Sequence, residues 1–195
     1  MLVALTAAGL AVQTLMGAGF DQPPQIRAVR AKADAYVSRA TPQTNFGRLQ
    51  DLKVDAAPRA RTYVRFNVNV KSGDVQRVNI LIWSRTRSRA GYQVRLAYDS
   101  WRERKITFAN APGLSPDYML SGPLKAHAWK AVDVTSLTDD VSGADDGSVN
   151  LALTTTSSKG LDLASRETGL HAPRLVVERG GRQGDPPTTT TTEGP

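Results

Sequence analysis

Hydrophobic and polar residues alternate along much of this chain with a period of two, which is the pattern of half-buried β-strands. The clearest run covers residues 61–68. There, Val64, Phe66 and Val68 would lie on one face of a strand, toward a core. Arg65 falls in the opposite phase and would point outward.

About ten segments of this kind, roughly a dozen residues apart, are separated by Gly, Pro and polar residues. No long segment has a helical period, although one helical turn is predicted over 135–141, with Thr135 or Ser136 as its cap. The pattern predicts an all-β fold, an antiparallel β-sandwich of jelly-roll type over residues 30–179. Its strands are expected at 33–38, 49–55, 61–68, 78–83, 92–98, 118–120, 129–134, 149–153, 161–163 and 175–177.

Two of these strands are predicted to form a hairpin. A compact run rich in β-branched residues at 78–83 is followed by a short basic connection and then by an alternating run at 92–98. The connection carries an arginine at every second position from Arg85 to Arg89, and Gly91 favours a turn. Trp83 would lie in the outward phase of the first strand, beside Arg85.

The two ends of the chain do not have the composition of a packed core. Residues 1–19 have the apolar length of a signal peptide but no basic start. We interpret the segment as an export signal that is either truncated or unusual, with a short membrane anchor as the alternative. Residues 20–29 and the Gly/Pro/Thr-rich residues 180–195 are predicted to be linkers. We expect a secreted, extracellular or cell-surface protein without stable membrane insertion after signal removal, and a linker at the end suggests a longer parent protein.

Charge is distributed unevenly over the 195 residues. The net charge is +7, but residues 27–105 carry 18 Lys and Arg against 6 Asp and Glu. Such a bias attracts polyanions, whether acidic polysaccharide, nucleic acid or a membrane surface. Alternatively, the excess of basic residues serves only to keep the protein soluble.

Composition and motifs argue against catalysis in this chain. Cysteine is absent, which excludes disulfides and thiol chemistry. Neither of its two histidines, His127 and His171, has a neighbouring ligand at metal-binding spacing, and no nucleophile elbow, phosphate-binding glycine loop or zincin motif is present. We predict a non-catalytic module.

Several short motifs occur in order over residues 33–177: ADAYV at 33–37, TNFG at 44–47, RTYVRF at 61–66, SW at 100–101, ITFANAP at 106–112, Trp129 with VDVT at 132–135, SRE at 165–167 and APRL at 172–175. Together they resemble the motifs of DNRLRE-type modules, which are also classed as carbohydrate-binding module family 96. The resemblance implies a β-sandwich that binds polysaccharide without cleaving it, within a secreted multidomain protein. The three arginines of the 85–89 connection depart from the small polar residues usual there, so the ligand preference stays open.

Four outward-phase residues are predicted to bind a polysaccharide: Arg65, Trp83, Arg85 and Arg95. The excess of basic residues favours an acidic polysaccharide. An exposed indole can stack on a sugar ring, and guanidinium groups can bind uronate carboxylates in a bidentate manner. Two alternatives are structural, because a loop could cover Trp83 and Arg65 could pair with Glu167. The other two tryptophans, Trp101 and Trp129, are expected in the core.

A calcium ion is a further expectation, since Asp34 and Asn45 near the first strand could supply oxygen ligands of the kind common in sandwich binding modules. The competing reading is that Asp34 caps a turn. Nucleic-acid binding, with the same arginines on phosphates, is a less favoured function because of the export signal and the Thr-rich linker. A structural or adhesion spacer needs no ligand. We expect a monomer.

Overall fold

The computed structural model describes residues 23–68, 75–98, 101–139 and 147–180. The predicted signal peptide at 1–19 and all but the first residue of the predicted linker at 180–195 lie outside the described residues.

Within these ranges the chain forms eleven strands, one short helix and one 3-10 turn. The helix α1 spans Thr135–Asp139, where one helical turn is predicted, and the 3-10 turn spans Arg166–Thr168. No helix in the described part of the chain is long and apolar enough to cross a membrane. The strands are β1 (Gln25–Arg30), β2 (Ala33–Ser38), β3 (Asp51–Ala56), β4 (Arg59–Asn67), β5 (Val75–Ser84), β6 (Gln93–Leu96), β7 (Met119–Leu120), β8 (Ala128–Asp133), β9 (Ser148–Thr154), β10 (Leu161–Ala164) and β11 (Arg174–Arg179).

All strand pairs are antiparallel, and they form two layers that β3 connects. The first layer contains β8, β5, β11 and β1, with β10 beside the end of β5 and β3 beside β10. The second layer runs β2, β4, β9, β6, β7. The predicted all-β sandwich is confirmed.

The main core lies between the two layers. Val78, Ile80 and Ile82 of β5 are fully buried, and they share one hydrophobic cluster with Val64 and Phe66 of β4. Full burial of one such side chain stabilises the fold by about 1.5–3 kcal/mol, so this inward phase fixes the register of both strands.

A second, smaller hydrophobic cluster covers part of the outer face of the second layer. Tyr63 of β4 and Ala152 of β9 are directly paired there, and both are fully buried by the segment that begins at Trp101. The Trp101 ring packs edge-on against Tyr63, with 6.1 Å between ring centroids. Trp101 is 5% exposed, which confirms its prediction as a core residue.

The predicted hairpin of residues 78–98 is wrong. β5 pairs with β8 and β11 in the first layer, whereas β6 pairs with β7 and β9 in the second. The basic connection therefore crosses between layers, and Gly91 takes a φ of 66° at its end. Both strands bury their apolar phase in the same core from opposite sides, which a pairing of the two strands with each other would prevent.

The linker predicted over 20–29 is shorter than expected, because β1 begins at Gln25 and pairs along its whole length with β11. Most of β1 is exposed, and only Val29 packs against the main core. The residues of β1 do not alternate between buried and exposed, so backbone pairing specifies the strand more than a buried face does.

Candidate functional site

The structure separates the four predicted carbohydrate-binding residues into two pairs. Trp83 and Arg85 lie at the end of β5 in the first layer. Arg65 of β4 and Arg95 of β6 lie on the outer face of the second layer, with β9 between their strands. The four side chains do not share a surface, because the connection between β5 and β6 crosses between the layers.

Trp83 points outward as predicted and is half-buried in an aromatic cluster. The imidazole of His171 stacks on it at 4.0 Å between centroids with an interplanar angle of 18°. Trp129, its cross-strand partner on β8, contacts it edge-on at 5.6 Å. The loop that carries His171 therefore covers one face of the ring. This arrangement matches the alternative in which a loop covers Trp83.

The core position expected for Trp129 is wrong. Its side chain is half-buried on the outer face of the first layer, where the guanidinium carbon of Arg174 lies 5.0 Å from its ring centroid. The reason is its pairing with Trp83, since directly opposite residues in a sheet point to the same face.

Arg85 and Arg65 are both engaged within the protein. The Nε of Arg85 lies 3.1 Å from Oδ1 of Asp51. The Nε of Arg65 donates to Oδ1 of Asn150 at 2.7 Å, and its guanidinium carbon lies 5.0 Å from the centroid of Trp101. These contacts give both arginines a structural role.

Arg95 forms hydrogen bonds to residues that follow the Trp101 segment in the chain. Its Nη1 donates to the carbonyl oxygens of Ser115 (2.9 Å) and Pro116 (2.7 Å), and its Nη2 donates to Gln93 at 3.0 Å. Its guanidinium carbon also lies 4.5 Å from the ring centroid of Tyr118. Within the described residues, two of its five N–H donors have no partner.

Arg95 lines a groove of about 470 Å³ on the outer face of the second layer. Two further arginines, Arg59 and Arg61 of β4, line the same groove, which we call the arginine groove. Within the described parts of the chain Asp55 is its one carboxylate, and Thr154 and Thr155 add hydroxyl groups. Arg61 has the same outward phase as Arg65, so the alternation of β4 in the sequence was sufficient to predict that Arg61 lies on this face.

The described residues that line the arginine groove carry a net positive charge. Among the described residues, none of the guanidinium groups of Arg59, Arg61 and Arg95 forms an ion pair. Three cations with one nearby carboxylate produce a positive potential that attracts anionic groups. Planar guanidinium groups also match carboxylates and sulfates geometrically.

A carboxylate cluster lies at the edge strand of the second layer. Asp34 of β2, Glu103 and Glu167 each offer an oxygen atom within 4.8 Å of the others. Arg166 joins them: its Nε and Nη2 donate to Glu103 at 2.6 and 3.0 Å, and its backbone N–H donates to Oδ2 of Asp34 at 2.7 Å. Oxygen atoms in such a group could hold a cation.

Burial raises the pKa of Asp34 from its ordinary value of 3.8 to about 8. The hydrogen bond from the backbone of Arg166 opposes this shift, while the nearby carboxylates of Glu167 and Glu103 add to it. Asp34 is 1% exposed, and its Oδ1 has no hydrogen-bond partner among the described residues. With Asp34 ionised, the three carboxylates and Arg166 carry a net charge of −2. A proton on Asp34 would reduce this charge to −1, and a divalent cation would neutralise it.

Asn45 is not a member of this carboxylate cluster, which differs from the predicted pairing with Asp34. Its amide nitrogen donates to the backbone oxygens of Glu103 (2.8 Å) and Ile106 (2.7 Å). Its Oδ1 accepts from the N–H of Gly47 at 3.3 Å. Asn45 therefore positions the backbone of Glu103, and the sequence pattern located the region of the site without the full ligand set.

Comparison with known proteins agrees with this architecture. The family model of carbohydrate-binding module family 96 matches residues 25–179, a range that begins with β1 and ends with β11. The chain belongs to this family. Membership in this family identifies the chain as a non-catalytic carbohydrate-binding module. No curated protein matches the chain.

Proposed function

We propose that this family 96 module binds an acidic polysaccharide through the arginine groove. The observation that carries the proposal is the convergence of Arg59, Arg61 and Arg95, without ion pairs among the described residues, on one open groove. Of the four residues predicted from the sequence, Arg95 belongs to this surface. Arg59 and Arg61 are added to it by the fold.

Several weak contacts must act together in such a groove. One exposed ion pair contributes about 0–1 kcal/mol, and salt screens it over about 8–10 Å. Three arginines, each able to bind a carboxylate or sulfate with two N–H groups, favour a chain with repeated anionic groups. The threonine hydroxyls of the groove can bind sugar hydroxyls between the anionic groups.

The test is a salt series of calorimetric titrations with uronate oligosaccharides, with neutral glucans and a DNA duplex as further ligands. Replacing both Arg59 and Arg61 by Gln should weaken uronate binding by roughly tenfold or more at low salt and flatten the salt dependence. Arg27 and Arg30, exposed on β1 of the first layer, provide a control with the same loss of charge. Equal affinity for neutral and acidic chains, or unchanged binding by the Arg59/Arg61 variant, would refute the proposal.

The same titrations separate the other readings of this basic surface. Tighter binding of DNA than of uronate chains would favour a nucleic-acid module. Absence of binding to every polysaccharide would favour a structural spacer.

Calcium is the cation that we propose for the carboxylate cluster. The residues fit, since Asp34, Glu103 and Glu167 supply oxygen atoms and Oδ1 of Asp34 is buried without a partner. A bound calcium ion would compensate their charge and stabilise the folded state by mass action. Millimolar calcium should raise the melting temperature by several degrees, reversibly with chelator, in the parent and in an Asp117→Asn control but not in Asp34→Asn. An identical melting curve with calcium and with chelator would exclude this role.

We also propose that the protein acts outside the cell, either secreted or attached to the cell surface. The apolar segment at 1–19 and the Thr-rich tract at 180–195 support this location. Expression of the full sequence followed by cell fractionation tests it, and retention in the soluble cell interior would contradict it.

A further inference from the structure

A second groove adjoins the arginine groove and differs from it in chemistry. It has a volume of about 860 Å³ and is lined by the ends of β6 and β9, by the segment 115–119 and by α1. Ser115 and Pro116 line both grooves, so they form the boundary between them. We call the second one the tyrosine groove, because Tyr98 and Tyr118 line it and are 62% and 44% exposed.

From this arrangement we propose that the tyrosine groove binds a neutral sugar ring of the same polysaccharide whose anionic groups occupy the arginine groove. The inference rests on the proposed function and extends it to a second subsite. The ligand would then be a chain in which charged and uncharged sugars lie next to each other.

Exposed tyrosines suit the flat, C–H-bearing face of a pyranose. Burial of an aromatic ring removes a large apolar area from water, while its hydroxyl group can remain hydrogen-bonded. Tyr118 is also held in place, since the guanidinium carbon of Arg95 lies 4.5 Å from its ring centroid. Less ordering is therefore needed when a sugar binds to it.

The charge of the tyrosine groove argues against an anionic sugar. Among the described residues, Asp117 is the one charged residue that lines it, and Asp117 is exposed. A carboxylate accepts hydrogen bonds from sugar hydroxyls but repels a uronate carboxylate. The hydroxyl of Ser136 on α1 adds a further polar group to the lining. The groove thus favours hydroxyl-rich, uncharged rings.

Arg95 couples the two grooves. It lines the arginine groove, contacts the ring of Tyr118, and donates to the carbonyl oxygens of Ser115 and Pro116 at the boundary. One chain crossing this boundary would contact both subsites, and the second contact would then be intramolecular.

The experiment compares three oligosaccharides of equal length: all-uronate, alternating uronate and neutral hexose, and all-neutral. The alternating chain should bind most tightly. Tyr98→Ala should weaken its binding roughly three- to tenfold while changing the all-uronate affinity little. Asp117→Asn should strengthen binding of the all-uronate chain, because it removes the repulsion. Leu170→Ala, which removes an apolar side chain that is 75% exposed elsewhere, is the control and should change nothing.

The two proposals fail in different ways. If Tyr98→Ala binds the alternating chain as the parent does, or if the all-uronate chain is the best ligand, the tyrosine subsite is refuted while the arginine groove stands. If no charged oligosaccharide binds and the Arg59/Arg61 variant behaves as the parent, the proposed function itself fails. Circular dichroism of each variant distinguishes a lost contact from a lost fold.

Discussion

Replacement of Asp34 by Asn should make the protein more stable at neutral pH and should reduce the pH dependence of its stability. Asp34 is buried beside Glu103 and Glu167, with Arg166 as the adjacent cation, and burial raises its pKa to about 8. The folded protein therefore keeps this proton at a pH where the unfolded chain has lost it. Asn has the shape of the protonated carboxyl group and needs no proton.

The magnitude follows from proton linkage. A group whose pKa is higher in the folded state contributes stability that is fully present below the unfolded value of 3.8 and is lost as the pH rises toward about 8. In that window one proton is bound on folding, so the free energy of unfolding falls by about 1.4 kcal/mol per pH unit. Two pH units, for example 5.5 to 7.5, then correspond to about 3 kcal/mol.

Urea unfolding at pH 5.5, 6.5 and 7.5 in the presence of chelator measures this effect. The difference in stability between Asp34→Asn and the parent should grow in favour of the variant by about 3 kcal/mol across the series. Asp117→Asn, at an exposed position, serves as the charge control and should follow the parent. Parallel stability profiles of Asp34→Asn and the parent would refute the assignment of a bound proton to Asp34.

Three further substitutions test the packing described above. Gly47→Ala should unfold the protein or destabilise it by about 2 kcal/mol or more in urea, because the new methyl group would overlap the backbone oxygen of Glu103. Trp83→Ala should cost about 2 kcal/mol of stability, because the ring contacts are lost, and should leave uronate affinity unchanged in titrations. A fall in affinity without destabilisation would instead support the sugar-binding role predicted for Trp83 from the sequence. Tyr63→Phe should cost about 1 kcal/mol in thermal unfolding, since its hydroxyl donates to the carbonyl of Pro112 inside the protein, and equal stability would argue against that bond.

Strand positions and fold class could be predicted from the sequence because burial in a sandwich imposes a period of two. The main core of β4 and β5 follows this period: Val64 and Phe66 face Val78, Ile80 and Ile82 across it. Alternation specifies which side chains point inward, but not which strand lies beside which. The same pattern in 78–98 is satisfied by a hairpin and by a crossing between layers, and the second arrangement is the observed one.

The sites depend on contacts that are distant in sequence. Asp34 and Arg166 are 132 positions apart, and Asp34 and Glu103 are 69 apart. The short motifs around these residues indicated the family resemblance, but they did not indicate that the segments contact each other in the fold. In the arginine groove, Arg61 and Arg95 are brought together by β9, which lies between their strands. No local sequence pattern encodes this order of strands.

The arrangement of the second layer separates stability from binding. One part of its outer face is closed by the Trp101 segment, which Asn45 fixes through the backbone of Glu103 and which Arg166 fixes through the Glu103 side chain. The arginine and tyrosine grooves occupy another part, beyond Ser115 and Pro116. The described residues that line the two grooves include none of the carboxylate cluster.

Protonation of Asp34, or a calcium ion bound to it, should therefore change the melting temperature and leave the polysaccharide affinity of the folded protein unaltered. Titrations at pH 6 and pH 7.5, with and without calcium, check this at a temperature where the protein is folded. An affinity that follows the calcium-dependent change in melting temperature would show that the carboxylate cluster and the grooves are coupled.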